Sequence, residues 1–317
     1  MMEETGHVPV LLNEVMIALA PKPMKTYIDA TFGYGGYSRR ILEATDCKVI
    51  AIDQDPTVIE QANKFKIEFR ERFEFFNKKF SELDELFKSL NIIDLDGIVF
   101  DLGVSSMQID SKDRGFSFQK EGKLDMRMSH KGLTAEDVIN DISEKDLADI
   151  IFQYGDEIKS RKIAKKIIEE RKKQRISTTK ELSEIVSSCF PNKYYKTHPA
   201  TKTFQAIRIF INKEIEELIS GINTASKILS ENGRLCVVTF HSIEDRIIKN
   251  FFKITSSKNY VSNENKGKLI FNSKRKSIKP SDSEINLNRR SRSAKLRFGI
   301  RNSNNHHILD KTELGFI

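Results

Sequence analysis

The sequence predicts an α/β protein in which a parallel sheet is interrupted by a helical insertion. Three observations carry that expectation. Short β-rich runs alternate with helical patterns through the first hundred residues; helix follows helix from about Gln108 to Phe190; and a buried strand returns at Arg234–Phe240. In order, Tyr27–Thr31 reads as a strand, followed by glycines and a helix through Arg39, Arg40, Ile41 and Leu42. Lys48–Asp53 reads as a second strand. Pro56 suits the first turn of the next helix, where Val58, Ile59, Ala62 and Phe65 recur at helical spacing. Phe73–Phe76 is a third strand, with Ser81 expected to cap a helix through Leu83, Leu86 and Phe87. Gly97–Asp101 is a fourth, apolar enough to be buried on both faces, as parallel strands with right-handed crossovers are.

Beyond the fourth strand, Thr134–Asp137 and Ser143–Asp146 read as helix starts, each with an acceptor first and an acid in the first turn. Amphipathic stretches come next at Glu157–Lys173 and Thr179–Phe190. Pro199 is expected to open one long helix ending near Ser230, with Gly233 just past it. The expected organisation is residues 1–108 as the first part of the sheet domain, 109–212 as an inserted helical substrate-recognition domain, and 213–317 as the second part of the sheet domain. Residues 256–293, rich in Ser, Lys, Arg and Asn, read as a mobile loop or arm.

Composition narrows the classes. The 317 residues are 38 % hydrophobic and 31 % charged, too apolar for general disorder, with no apolar run of the roughly 18 residues a membrane span needs. The start of the chain is acidic and has no apolar core of a secretory signal, and the three cysteines (Cys47, Cys189, Cys236) form neither a CxxC pair nor a metal-ligand cluster. A cytoplasmic protein without a structural metal is the expectation. The net charge of +8 is unevenly spread: Arg246–Arg301 holds sixteen Lys/Arg against three Asp/Glu, or +13, which leaves −5 for the rest. Such a segment suits either a polyanionic partner, whose counterions are released on binding, or a solvated tail.

The chemistry-bearing stretch lies after the first strand: Asp29-Ala30-Thr31-Phe32-Gly33-Tyr34-Gly35-Gly36-Tyr37. Glycines let the backbone turn tightly beside a helix N-terminus, and about twenty residues on the second strand ends in Asp53, placed to accept two ribose hydroxyls. Together they predict an adenosine-type ligand at the carboxyl edge of the sheet. A glycine pattern begun at Gly33 puts Ser38 where the dinucleotide fingerprint wants its third glycine, and no G-x-x-x-x-G-K-[ST] loop exists. Those absences favour S-adenosylmethionine, which has no phosphate to cradle, over a nicotinamide-dependent oxidoreductase or an NTPase.

Further stretches carry a resemblance. They include His7–Leu11, Ala51–Asp55, Asp101–Ser106, Arg114–Phe118 with Leu124–Met128, His198–Thr201, Phe204–Arg208, Phe240–Arg246 and Arg292–Arg297. In this order, nearly end to end, they resemble the bacterial small-subunit ribosomal RNA cytosine-N4 methyltransferase family, RsmH/MraW. The resemblance implies a class I S-adenosylmethionine methyltransferase (Rossmann-like) sheet with an inserted all-helical domain. It also implies methylation of the exocyclic N4 amine of decoding-region cytosine 1402 in 16S rRNA, within the small ribosomal subunit. Cofactor contacts are implied at Gly35, Gly36, Tyr37, Asp53, Phe80, Asp101 and Gln108. In that reading Gly35 and Gly36 let the loop wrap the methionine end, Phe80 covers the adenine face and Gln108 binds the amino-acid moiety. Asp101, or a carbonyl of the Leu102–Val104 turn, accepts the N4–H of the target.

His241 is a secondary candidate, with a satisfied structural residue as the alternative. Phe116, Phe118 and Phe240 are candidates to stack on the base, and Lys202, Arg208, Lys274–Lys276 and Arg289–Arg290 to meet phosphate. Two departures stand out: Tyr37 replaces a common histidine, and Arg289 comes after Asn288 where proline is usual. Rival readings keep the cofactor but change the target to another RNA base, DNA or protein, or make the chain a non-enzymatic rRNA-binding assembly factor. The amphipathic insertion helices would also support a homodimer.

Overall fold

A computed structural model describes residues 9–92, 94–256, 269–302 and 308–316. Seven strands form one sheet: β1 (Thr26–Asp29), β2 (Lys48–Ile52), β3 (Phe73–Phe76), β4 (Gly97–Asp101), β5 (Arg234–Thr239), β6 (Phe271–Ser273) and β7 (Lys295–Arg301). Their order is β3-β2-β1-β4-β5-β7-β6, with β1 to β5 parallel and β7 antiparallel to both neighbours. This is the α/β architecture, a mainly parallel sheet, that the sequence predicts. The chain runs outward from β1 through β2 to β3, then crosses back to place β4 on the other side of β1. The carboxyl ends of β1 and β4 therefore flank the switch point where open α/β sheets bind ligands.

The chain divides into two compact units. The first comprises Met1–Gly103 and Glu216–Ile317; the second is Val104–Ile215. In the first, β2 and β4 are buried along nearly their whole length, as expected of parallel strands covered on both faces. The rings of Phe32, Phe65, Phe73 and Phe75 pack together at 5.2–5.5 Å beneath the glycine loop. In the second, helices Ala135–Asp141, Glu144–Gly155, Ser160–Arg171, Thr179–Ser188 and Thr201–Asn212 enclose a core that includes Met126, Ile151, Ile163, Leu182 and Ile207. Thr134, Ser143 and Thr178 cap three of these helices, the first two where the sequence places the caps.

Four expectations change. The long helix from Pro199 to Ser230 is two, Thr201–Asn212 and Glu214–Ile228, parted at Lys213 in the left-handed region (φ 52°). The buried Asn212 side chain makes this break: it accepts the Met128 N–H at 2.7 Å and donates to the Met126 carbonyl at 2.8 Å. Ser81 is not a cap. It lies inside a 3₁₀ turn, Phe80–Glu82, and binds Glu217 through its N–H (2.9 Å) and hydroxyl (3.0 Å).

The expected mobile arm is largely built into the sheet. Residues 269–302 supply β6, the helix Asp282–Leu287 and β7, while residues 257–268 of that expectation, like His7 and Val8 of the first motif, lie outside the described residues. Nor does all of the basic charge face outward. Lys295 and Arg297 both grip Asp245, at 2.6 and 2.7 Å, and Arg301 is 1 % exposed beside the Phe271 ring. Lys274, Arg275, Lys276, Arg289 and Arg290 are exposed. On the second unit Arg208 is half-buried and pairs with Glu214 through two hydrogen bonds of 2.8 Å, while the exposed Lys202 donates to the Asp156 carbonyl at 2.7 Å.

Candidate functional site

The site is built from residues at and just beyond three strand ends. Asp29 closes β1 and is fully buried. Its carboxylate accepts the Ser38 N–H (3.1 Å), the Ser38 hydroxyl (2.7 Å) and the Thr31 N–H (3.2 Å). One buried acid thus ties the start of the glycine loop to the first turn of the helix Gly36–Ala44. Burial raises its affinity for a proton, and these hydrogen bonds oppose the shift. Ser38, the residue that breaks the dinucleotide fingerprint, is there to donate to Asp29.

Within the loop, Gly33 and Gly35 have φ of +51° and +80°, which L side chains rarely adopt. The glycines serve different purposes. A Cβ on Gly35 would lie 2.4 Å from Cζ of Phe65, and one on Gly36 would lie 2.2 Å from Cγ of Pro9, so both are required by the protein's own packing. A Cβ on Gly33 meets nothing nearer than the Thr31 carbonyl at 4.0 Å. The open side of the loop is therefore at Gly33, which the sequence reading did not single out.

Tyr37 is buried, and its hydroxyl donates to the Val10 carbonyl; the tyrosine side chain anchors the loop from beneath. Asp53, just beyond β2, accepts the Gly33 N–H at 2.8 Å on one oxygen and the Asp55 N–H at 2.9 Å on the other. Each oxygen keeps a second lone pair, the geometry that suits two adjacent hydroxyls. Burial first, then the charges of Asp55 and Asp29, raises its pKa to about 6.

Asp101 closes β4. Its N–H donates to the Thr31 hydroxyl at 2.7 Å, which joins the β4 end to the loop after β1. Its Oδ1 is buried and has no hydrogen-bond partner among the described residues. Burial, with the nearby charges of Asp29 and Glu244, raises its pKa well above the carboxylate range. A buried acceptor left unmatched costs about 1–3 kcal/mol, so its retention at a ligand-binding edge points to a partner that arrives from outside.

Glu244 itself is partnered, accepting the Phe240 N–H at 2.8 Å and the His241 N–H at 3.3 Å. His241 is the N-cap of the helix Ser242–Thr255, its Nδ1 accepting the Glu244 N–H at 3.4 Å, a structural role that the sequence did not specify. Phe80 opens the turn after β3, half-buried, with its ring edge-on to Phe100 at 5.1 Å. Phe240 comes directly after β5, its ring 3.7 Å from where a Gly103 side chain would begin.

Gln108 belongs to the second unit, where its Oε1 accepts the Ser105 N–H at 3.0 Å and closes the cap of the short helix Ser106–Asp110. Phe118 is also in that unit, stacked on His198 at 4.6 Å, while Arg114 sits over Phe116 at 5.6 Å. The sequence reading brought together Gly35, Gly36, Tyr37, Asp53 and Asp101; it missed Asp29, Thr31, Ser38 and Glu244. Polar residues at or just beyond a strand end, or in the first turn of the helix that follows it, were the available signal. The unmatched Asp101 oxygen and the open lone pairs of Asp53 fit a ligand bearing a vicinal diol at one end and N–H or cationic groups at the other, as S-adenosylmethionine does.

Comparison with known proteins agrees. The chain is 52 % identical over 299 residues to the ribosomal RNA small subunit methyltransferase H of Rickettsia bellii, covering 92 % of this chain and 97 % of that protein. It is 50 % identical over 304 residues to the protein of the same name from Rickettsia canadensis, covering 93 % and 97 %. Among solved structures, an rRNA methylase from Streptococcus thermophilus aligns with a TM-score of 0.41 at 10 % identity, over 96 % of this chain and 99 % of that one. The N-methyltransferase NodS from Bradyrhizobium japonicum aligns with a TM-score of 0.39 at 7 % identity, over 92 % and 94 %. The MraW methylase family matches residues 4–301, and with this span, these relatives and this site, the chain belongs to that family.

Proposed function

We propose that the protein methylates the exocyclic N4 of cytosine 1402, a decoding-region base of 16S rRNA, acting in the cytoplasm on the small ribosomal subunit. The observation that carries the reading is the buried, unmatched Oδ1 of Asp101 at the switch point of the sheet. S-adenosylmethionine, when bound, supplies an electrophilic methyl group. Asp53 would hold its ribose through the two open lone pairs. The loop at Gly33–Tyr37 would receive its amino-acid end, with Phe80 as the aromatic candidate beside its base.

The cytosine amine is a poor nucleophile because its lone pair is delocalised into the ring. An acceptor on N4–H lets the nitrogen pyramidalise as it attacks. Asp101 supports that role twice: its Oδ1 has no competing partner among the described residues, and burial, then the charges of Asp29 and Glu244, raises its affinity for the departing proton. Thr31 fixes the backbone of Asp101, and holding donor and acceptor in near-attack geometry supplies much of the remaining rate. The cytosine must leave its stack, at about a few kcal/mol, unless the RNA already presents it unpaired.

The test uses the purified full chain with labelled cofactor and, separately, small subunits, free 16S rRNA, DNA and protein, with mass mapping of the modified nucleotide. The expected product is an N4-methylcytosine at one decoding-region position, absent with Asp101→Asn. Label on another base, on DNA or on protein would refute the assignment.

A further inference from the structure

On the second unit, the segment that joins helix Thr179–Ser188 to helix Thr201–Asn212 has a composition unlike its surroundings. From Ser187 to Lys213 the chain holds five basic residues and no acid. Two of the five, Lys202 and Arg208, are held by structural bonds. Lys193 and Lys196 are exposed, and they flank two tyrosines.

The aromatic rings here are arranged in sequence. Lys159 places its ammonium 4.2 Å from the centroid of Phe190; Phe190 meets Tyr195 edge-on at 5.8 Å; and Lys193 lies 5.6 Å from the Tyr195 ring. Cations therefore bracket a pair of half-buried rings that fix the base of the segment. Next to them Tyr194 is 90 % exposed, a large ring in water beside these cationic side chains. The segment ends at His198, whose exposed ring lies on Phe118 at 4.6 Å and 28°. Core packing explains Phe190, Tyr195 and Phe118. It does not explain an aromatic ring left in water between two lysines.

We propose that the segment Pro191–His198 is a platform for single-stranded RNA, on which Tyr194 stacks against an unpaired base while Lys193 and Lys196 meet the flanking phosphates. The inference rests on the proposed RNA substrate and adds the place where the RNA is held. The chemistry selects this occupant. Unpaired bases are recognised by stacking on aromatic rings, phosphates by lysine, and neither contact needs an acid, which the segment lacks. A duplex, its bases already stacked, has no face to offer Tyr194. An apolar partner would be expected to meet a patch of several exposed aliphatic side chains, not one tyrosine between ammonium groups.

The test measures binding of the full chain, by fluorescence anisotropy over a salt series, to a single-stranded rRNA fragment and to the matching duplex. Methyl transfer to rRNA and calorimetric affinity for S-adenosylhomocysteine are measured on the same preparations. Because Tyr194 is exposed, Tyr194→Ala should fold as the wild type does. Its expected effect is about a tenfold loss of affinity for the single strand, little change for the duplex, and recovery in Tyr194→Phe. Replacing Lys193 and Lys196 together by Ala should lower the slope of log affinity against log salt by about 1.4, two phosphates at ~0.7 each for single strands. Cofactor affinity should not move.

Single-strand affinity unchanged by Tyr194→Ala, or lost equally for duplex, overturns the platform. So does unchanged RNA affinity accompanied by a shift in sedimentation, which would mean that a second copy of the chain covers this face. A wild-type protein that binds the single strand through Tyr194 but transfers no methyl group to rRNA would instead refute the functional reading and leave the platform standing.

Discussion

Asp53 makes cofactor affinity depend on pH in a range where no free carboxylate titrates. Both of its oxygens already accept a backbone N–H, from Gly33 and Asp55, yet burial and the charges of Asp55 and Asp29 hold its pKa at about 6 against an ordinary 3.8. A protonated carboxyl loses one of the two open acceptor positions that a ribose diol requires. At pH 5 about one-tenth of Asp53 is ionised, and at pH 7.5 about 97 %, so affinity should fall about tenfold between them, ~1.4 kcal/mol. The same shift acts on the empty protein. The unfolded chain releases this proton first as pH rises, so stability declines between about pH 4 and 6, by at most about 3 kcal/mol and by less to the extent that solvent screens a half-buried group. Cofactor binding should restore it.

The assay is calorimetric titration with S-adenosylhomocysteine, which keeps the ribose but carries no sulfonium, from pH 4.5 to 8 in buffers of different ionisation enthalpy. The expected result is an inflection near pH 6 with release of about one proton on binding below it. Asp53→Asn should bind weakly at every pH and show no inflection. A wild-type affinity that is flat from pH 5 to 7.5, or an inflection that survives in Asp53→Asn, would refute the assignment of the diol to Asp53.

Other substitutions separate holding the site from performing its chemistry. Asp101→Asn removes a buried acid whose ionisation is opposed by burial and by the charges of Asp29 and Glu244, without breaking a hydrogen bond of Oδ1, so the thermal midpoint should rise by a few degrees while single-turnover methyl transfer falls at least about a hundredfold. Asp29→Ala leaves the buried Ser38 amide and hydroxyl without an acceptor, and denaturant unfolding should show a loss of about 2–4 kcal/mol. Gly35→Ala combines a left-handed backbone with a Cβ 2.4 Å from Phe65 and should cost more stability than Gly33→Ala, whose Cβ enters open space; equal melting points would contradict that division. Arg208→Ala strands the Glu214 carboxylate, 10 % exposed, and should destabilise the protein by about 3–5 kcal/mol in denaturant melts without altering the salt slope of RNA binding.

Much of the sheet is legible because its signals are local. The strand–helix alternation, the caps at Thr134 and Ser143 and the acid after β2 depend on neighbours in sequence. The features that escape depend on partners far along the chain. The break at Lys213 arises from Asn212 reaching Met126 and Met128, 84 to 86 residues away, and a helical pattern runs through it without interruption. The basic segment reads as an arm because composition cannot tell that Lys295 and Arg297 close on Asp245 fifty residues earlier. Gly35 and Gly36 read as ligand-facing because glycine spacing is the same whether the missing side chain makes room for a ligand or for Phe65 and Pro9.

The acids at the strand ends pose the same ambiguity, and their bonds resolve it. Asp29, Asp53 and Asp101 lie at strand ends or just beyond them and Glu244 in the first turn of the helix after β5, and by charge type all four are equivalent. They differ in what they hold. Asp29 anchors a helix turn through three hydrogen bonds, Glu244 a cap through two, and Asp53 the loop at Gly33. Each of these would be retained by a fold with no ligand at all. Asp101 Oδ1 is buried, has no hydrogen-bond partner among the described residues, and is pressed toward its protonated form by burial and by the charges of Asp29 and Glu244, which is a cost to the folded chain. A buried carboxylate oxygen with no hydrogen-bond partner among the described residues, at the edge where a sheet of this topology binds ligands, carries more functional information than the three acids whose bonds explain them.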